Sequence, residues 1–101
     1  IKQFSNSFFQ TDDIVSGAEI SHIPEIANVF ANLRNANRFV KLLSSQGLSA
    51  SYFINPVNNY RYVYLKKHES WNNALISYYS NLNDAYNDKM WIMRVTPNLI
   101  T

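Results

Sequence analysis

The chain has 101 residues with a formal net charge of +2, and 47% of them are hydrophobic and 15% aromatic. That length and composition give one packed domain with its own core and exclude a disordered chain. That net charge is too weak for a committed nucleic-acid binder unless the charges cluster, and the absence of cysteine excludes disulfide scaffolds and thiolate metal sites.

Residues 1–20 show no period. Phe4, Phe8 and Phe9 are apolar, but Ser5-Asn6-Ser7 and Asp12-Asp13 interrupt them, so the segment reads as a linker or an arm packed on the domain. The domain itself spans 21–97, with 98–101 as a tail. A first strand is expected within 20–30, where Pro24 demands either an edge position or a bulge. Asn32 is a good helix N-cap, Ala36, Phe39, Val40 and Leu43 follow at helical spacing, and Gly47 stops the helix. Residues 48–54 form the second strand. Asn55-Pro56-Val57-Asn58-Asn59 is a turn, because asparagine tolerates positive φ. The third strand, 60–65, is followed by a helix capped by Ser70 with Ala74, Leu75, Tyr78 and Leu82 on its buried stripe. A polar connection over 83–89 leads to a last strand, 90–95, ended by Pro97.

The order β-α-β, turn, β-α-β predicts an α+β domain of ferredoxin-like type: a four-stranded antiparallel sheet with two helices on one face. In that arrangement the first and third strands are central and the second sheet face is free of helices. Tyr60-Arg61-Tyr62-Val63-Tyr64-Leu65 is the most informative stretch. Alternation places Arg61, Val63 and Leu65 on one side and Tyr60, Tyr62 and Tyr64 on the other. With the aliphatic residues turned to the helices, the tyrosines face away. Tyrosine rings there suit either ordinary cross-strand packing or a ligand: sugar C–H faces pack on aromatic faces while hydroxyls and amides bond the sugar's polar groups.

From Ile26 to Val95 the chain resembles the SPOR domain, a module of bacterial cell-division and envelope proteins. The likeness rests on Ile26-Ala27-Asn28-Val29-Phe30, on Leu42-Leu43-Ser44-Ser45-Gln46-Gly47, on the tyrosine strand, on Ser70-Trp71-Asn72-Asn73-Ala74-Leu75 and on Trp91-Ile92-Met93-Arg94-Val95. Asn55-Pro56 with Tyr62-Val63-Tyr64-Leu65 looks most like envelope proteins of Bacteroidetes-type bacteria. The resemblance implies a non-catalytic periplasmic or envelope module that binds peptidoglycan glycan strands stripped of stem peptides. Its glycan contacts, carried over, would be Ile26, Asn28, Tyr62, Tyr64, Ile92 and Arg94, with Arg94 suited to pair with a carboxylate of a peptide-free muramic acid. Trp91 then points to the helices.

Two other classes compete. A protein–protein module would pair along the strand near Pro24 or dimerise by strand exchange. An RNA-binding sheet would share the layout, yet residues 60–65 lack the glycine of the RNA-binding strand motif, and the nine Lys and Arg are spread along the chain. Enzymatic chemistry finds no motif. There is no G-x-S-x-G elbow, and two glycines, Gly17 and Gly47, cannot build a phosphate loop. Asp12-Asp13 and the Asp84/Asp88 pair read as solvated charge. His22 and His68, with no carboxylate or second histidine at ligand spacing, read as surface residues. No cofactor, metal, nucleic acid or membrane insertion is expected, since no apolar run approaches the roughly 18–20 residues of a helical span.

Overall fold

The computed structural model describes residues 22–95. Strand β1 (Ile23–Phe30), helix α1 (Leu33–Ser45), strands β2 (Ser51–Asn55) and β3 (Tyr60–His68), helix α2 (Trp71–Tyr79), a short turn α3 (Asn81–Asp84) and strand β4 (Trp91–Ile92) follow one another. The antiparallel sheet has the order β2-β3-β1-β4, so the first and third strands are central, as an α+β ferredoxin-like architecture requires. The arm expected at 1–20, with Phe4, Phe8 and Phe9, and the tail at 98–101 lie outside the described residues.

Local chemistry explains the helix boundaries. Asn32 Oδ1 accepts from the Asn35 N–H at 3.1 Å, which satisfies one of the donors the first turn leaves open. At the other end Gly47 sits at φ +82°. Its N–H bonds the Ser44 carbonyl while the Leu48 N–H bonds the Leu43 carbonyl, the Schellman closure. Leu48 is thus used to end the helix, and β2 begins at Ser51 rather than at residue 48. Ser70 Oγ caps α2 by accepting from the Asn73 N–H. In the β2–β3 hairpin, Asn55 Oδ1 accepts from the Val57 N–H, Asn58 Oδ1 accepts from the Tyr60 N–H, and Asn59 takes φ +64°. The asparagines there form local turns that stand in for backbone partners.

Two cores flank the sheet. On the helix side, Ile23, Ala27, Val63, Leu65 and Ile92 pack with Ala36 and Leu43 of α1 and Ala74 and Tyr78 of α2. On the other side, Ile26, Phe53, Tyr62, Met93 and Val95 pack with Val29, Tyr64 and Trp91, all from strands or from the chain continuing β4.

Proline explains why β4 is short. The pairs His22–Val95 and Glu25–Ile92 share one register, which places Pro24 opposite Met93. The Met93 N–H reaches the Pro24 carbonyl at 3.4 Å, but proline has no N–H to return, so the ladder loses a bond there. It resumes at Val95, whose N–H bonds the His22 carbonyl at 2.8 Å. Pro24 is therefore in a central strand, and the register of β1 against β3 shifts beside it, between Pro24 and Ile26. Of the two outcomes expected at Pro24 the bulge is realised. Strand pairing near Pro24 with another chain is ruled out, because β1 already has neighbours on both sides.

Candidate functional site

The sheet face without helices is the natural place to look for a ligand surface, and aromatic rings dominate it. Phe53 stacks on Tyr62 with ring centroids 5.4 Å apart and planes 27° apart, and it tilts against Tyr64 at 6.1 Å and 45°. Such offset pairs add stability beyond the area they bury. The β2–β3 register puts Phe53 beside Tyr62 and Ser51 beside Tyr64, and the β1–β3 register brings Ile26 to Tyr64 and Val29 to Tyr62. Trp91 joins from β4 through its pairing with Ile26. Asn58 Nδ2 donates to the Tyr62 hydroxyl at 3.0 Å, so the hairpin loop fixes the ring's polar end.

The predicted contact residues divide sharply. Tyr64 lies on this face and is half-buried, as the strand alternation requires. Tyr62 lies on the same face but is only 1% exposed, and Ile26 is fully buried; both are floor rather than surface. Asn28 is exposed but leaves the row. A second register shift between Ile26 and Asn28 inserts one residue, so Val29 joins Ile26 on the aromatic face while Ala27 and Phe30 both pack on the helix side. Ile92 and Arg94 are on the opposite face. Ile92 is buried in the helix-side core, and the Arg94 guanidinium lies 5.6 Å from the Trp71 ring centre at the start of α2, a cation–π contact. Trp91 correspondingly belongs to the aromatic face, not to the helix side.

A second constellation lies at the other end of β3. Glu25 is fully buried, and its Oε1 accepts from Ser77 Oγ at 2.7 Å and meets His68 Nε2 at 2.8 Å. His68 is thus no surface residue: a carboxylate 43 positions away in sequence holds it. The signal for this network was present. Glu25 falls between Ile23 and Ala27 in the core period of β1, and Ser77 stands on the same stripe of α2 as Ala74 and Tyr78. Two polar residues at core positions satisfy each other.

Above this network is an open groove of about 700 Å³ walled by Lys66, Lys67, Asn73, Ile76 and Asn83 among others. The turn α3 forms one wall. Asn81, Leu82, Asn83 and Asp84 all have φ between 56° and 66°, a left-handed turn that the polar connection expected here did not anticipate. Ser80 Oγ accepts from the Asn83 N–H at 3.0 Å, and the Tyr86 N–H closes on the Asn81 carbonyl. Chemically the Glu25 network is a tether between β1, β3 and α2. Ser77 donates its hydrogen bond to the Glu25 carboxyl rather than to the imidazole, so the order of nucleophile, base and orienting acid is not formed.

His22 is half-buried, and burial, followed by the nearby Lys67 charge, lowers its pKa despite an opposing pull from Glu69. No group of three or more metal-ligating side chains occurs among the described residues. Comparison with known proteins returns no matching family model, no matching curated protein and no matching solved structure.

Proposed function

We propose that this chain is a non-catalytic binding module of the bacterial cell envelope that takes peptidoglycan glycan strands stripped of their stem peptides. One observation carries the reading: among the described residues, the sheet face without helices bears the stacked rings Phe53 of β2 and Tyr62 and Tyr64 of β3, with Trp91 of β4 packed on the same cluster across Ile26 of β1. The resemblance to SPOR domains supports the same ligand and an envelope location. The contact set is redrawn by burial. Tyr64 and Trp91, half-open on this face, meet the sugar rings, and exposed Tyr60 extends the row beside the hairpin. Tyr62 and Phe53 hold those rings in place from beneath. Arg94, on the other face, takes no part.

Retention on amidase-treated sacculi tests this. Tyr64→Ala and Trp91→Ala are expected to lose retention while the circular dichroism of the folded chain persists, with Tyr64→Ala costing less stability than truncation of Tyr62 because its ring is only half-buried. If the unmodified chain is not retained, or both variants are retained like it, the reading is wrong. Tyr62→Ala is a poor probe, since deleting a buried ring costs about 3–5 kcal/mol and confuses binding with folding.

A second reading has its own observation. Residues 47–60 contain no charged side chain, and within them β2 is a sheet edge with exposed Tyr52 and Ile54. Natural edges are usually guarded by charge, so strand pairing with another chain suits β2. Sedimentation equilibrium of the chain and of Ile54→Lys checks it: a dimer abolished by the lysine is expected, and a monomer at all concentrations refutes it.

A further inference from the structure

The helix layer presents a second surface, on the side of the sheet away from the aromatic face. Arg34, Arg38 and Lys41 follow at spacings of four and three, which places them on one outward stripe of α1 about 10 Å long. With Leu33 and Asn37 they line a shallow depression of about 490 Å³. Although Lys and Arg look dispersed along the chain, folding gathers these three.

Cations on an exposed helix face are ordinary when acids are interspersed with them. Here they are not. From residue 26 to residue 68 the chain has no acidic side chain, and α2 beside α1 in the helix layer has no charged residue at all. The ion pair among the described residues is His68–Glu25, so none of the three cations is neutralised by a salt bridge there. The same layer also exposes large apolar groups: Leu42 is 50% exposed, Ile76 63% and Tyr79 58%. Each alone is unremarked surface. The helix-covered side of the sheet thus carries uncompensated positive charge on α1 together with exposed apolar and aromatic side chains on α1 and α2.

We infer that this face seats the domain on an anionic bilayer surface, with Arg34, Arg38 and Lys41 on headgroup phosphates and Leu42, Ile76 and Tyr79 at the acyl boundary. Positive charge complements the anionic leaflet, and the apolar flanks supply the burial that electrostatic attraction alone lacks. Nucleic acid fits less well. It calls for rings stacked among the cations, whereas the aromatic of α1, Phe39, is turned inward onto Phe30 with centroids 5.4 Å apart, and the exposed ring of this side, Tyr79, belongs to α2 and not to the cationic stripe. The contact is adsorption and not insertion, because no helix among the described residues is long and apolar enough to cross a membrane.

Sedimentation with phosphatidylcholine vesicles, with and without phosphatidylglycerol, tests the inference. The chain should pellet only with the anionic vesicles. At about fivefold per cation near such a surface, R34Q/R38Q/K41Q should weaken binding roughly a hundredfold at low salt. Leu42→Ser with Ile76→Ser should weaken it further and in a manner that salt does not reproduce. All of these positions are exposed, so the melt should stay unchanged. Equal pelleting with both vesicle types, or a triple variant that binds like the unmodified chain, overturns the inference. So does an RNA gel shift that depends on the three cations without vesicle binding. Retention on sacculi is read separately with the same variants, so failure here leaves the glycan reading standing and the reverse also holds.

Discussion

Removing the Ser77 hydroxyl is expected to destabilise the domain far more than a half-buried serine usually would. Glu25 Oε1 receives two donors, Ser77 Oγ at 2.7 Å and His68 Nε2 at 2.8 Å, while Oε2 is buried with no hydrogen-bond partner among the described residues. A carboxyl group taken fully out of water therefore depends on these two bonds. Losing a hydrogen bond to such a group costs about 1.5–3 kcal/mol, so Ser77→Ala should lose about 2 kcal/mol. At about 4–8 °C per kcal/mol for a domain of this size, that lowers Tm by about 8–16 °C. His68→Ala removes the other partner of Glu25 Oε1 and should cost about 1–3 kcal/mol. The combined change Glu25→Leu, His68→Leu and Ser77→Ala leaves no orphaned group and should recover most of that loss, because a buried polar cluster often gains nothing over apolar side chains of similar volume. Urea unfolding with an unchanged m-value is the assay. Single variants within about 0.5 kcal/mol of the parent, inside the usual range for surface changes, would refute the reasoning. A triple variant as unstable as the sum of the singles would refute it too.

Three further outcomes follow from local chemistry. His22 has a folded pKa below its ordinary value of 6.5, so the unfolded chain takes up its proton first. Stability should fall as pH drops through about 6.5 and level off below the folded pKa, and His22→Gln should flatten that limb of a pH series of thermal melts. Gly47→Ala should cost about 1–2 kcal/mol through backbone strain alone, since φ is +82° and nothing lies within 4 Å of the added carbon; an unchanged urea midpoint counts against the assigned closure. Tyr62→Phe keeps the stack on Phe53 but drops the bond from Asn58 Nδ2, so it should cost about 1 kcal/mol and leave sacculus retention intact, whereas loss of retention would make Tyr62 a contact residue after all.

How much of this was readable in the chain depends on whether the deciding physics is local. Asn32, Gly47 and Ser70 mark helix ends because capping uses neighbours three to five residues away. The alternation of residues 60–65 placed Val63 and Leu65 toward the helices and Tyr62 and Tyr64 away from them, because β3 has aliphatic and aromatic residues on opposite faces. Trp91-Ile92-Met93-Arg94-Val95 offers no such contrast. One face holds Trp91, Met93 and Val95 and the other Ile92 and Arg94, a division that does not say which face meets the helices, so only pairing with Ile26 and Glu25 decides that Trp91 and Ile92 point oppositely to the expectation. Asn28 was misplaced for a related reason: one inserted residue shifts the alternation of β1, and bulges leave little trace in composition. The Glu25 network joins residues 43 and 52 positions apart, beyond the reach of spacing rules, although the polar side chains at core positions were visible. Exposure was the least legible property. Tyrosines turned from the helices are not thereby open to solvent, and Tyr62 is sealed by its neighbours.

The central claim is that the aromatic face, and not the helix layer, takes the glycan. Backbone and indole amide shifts of the nitrogen-15-labelled chain, followed during titration with peptide-free glycan fragments, address it most directly. Saturable shifts at Tyr60, Tyr64 and the Trp91 indole, with α1 and α2 unmoved, are the expected result. No shift at high fragment concentration, or shifts confined to α1 around Arg34, Arg38 and Lys41, would contradict it.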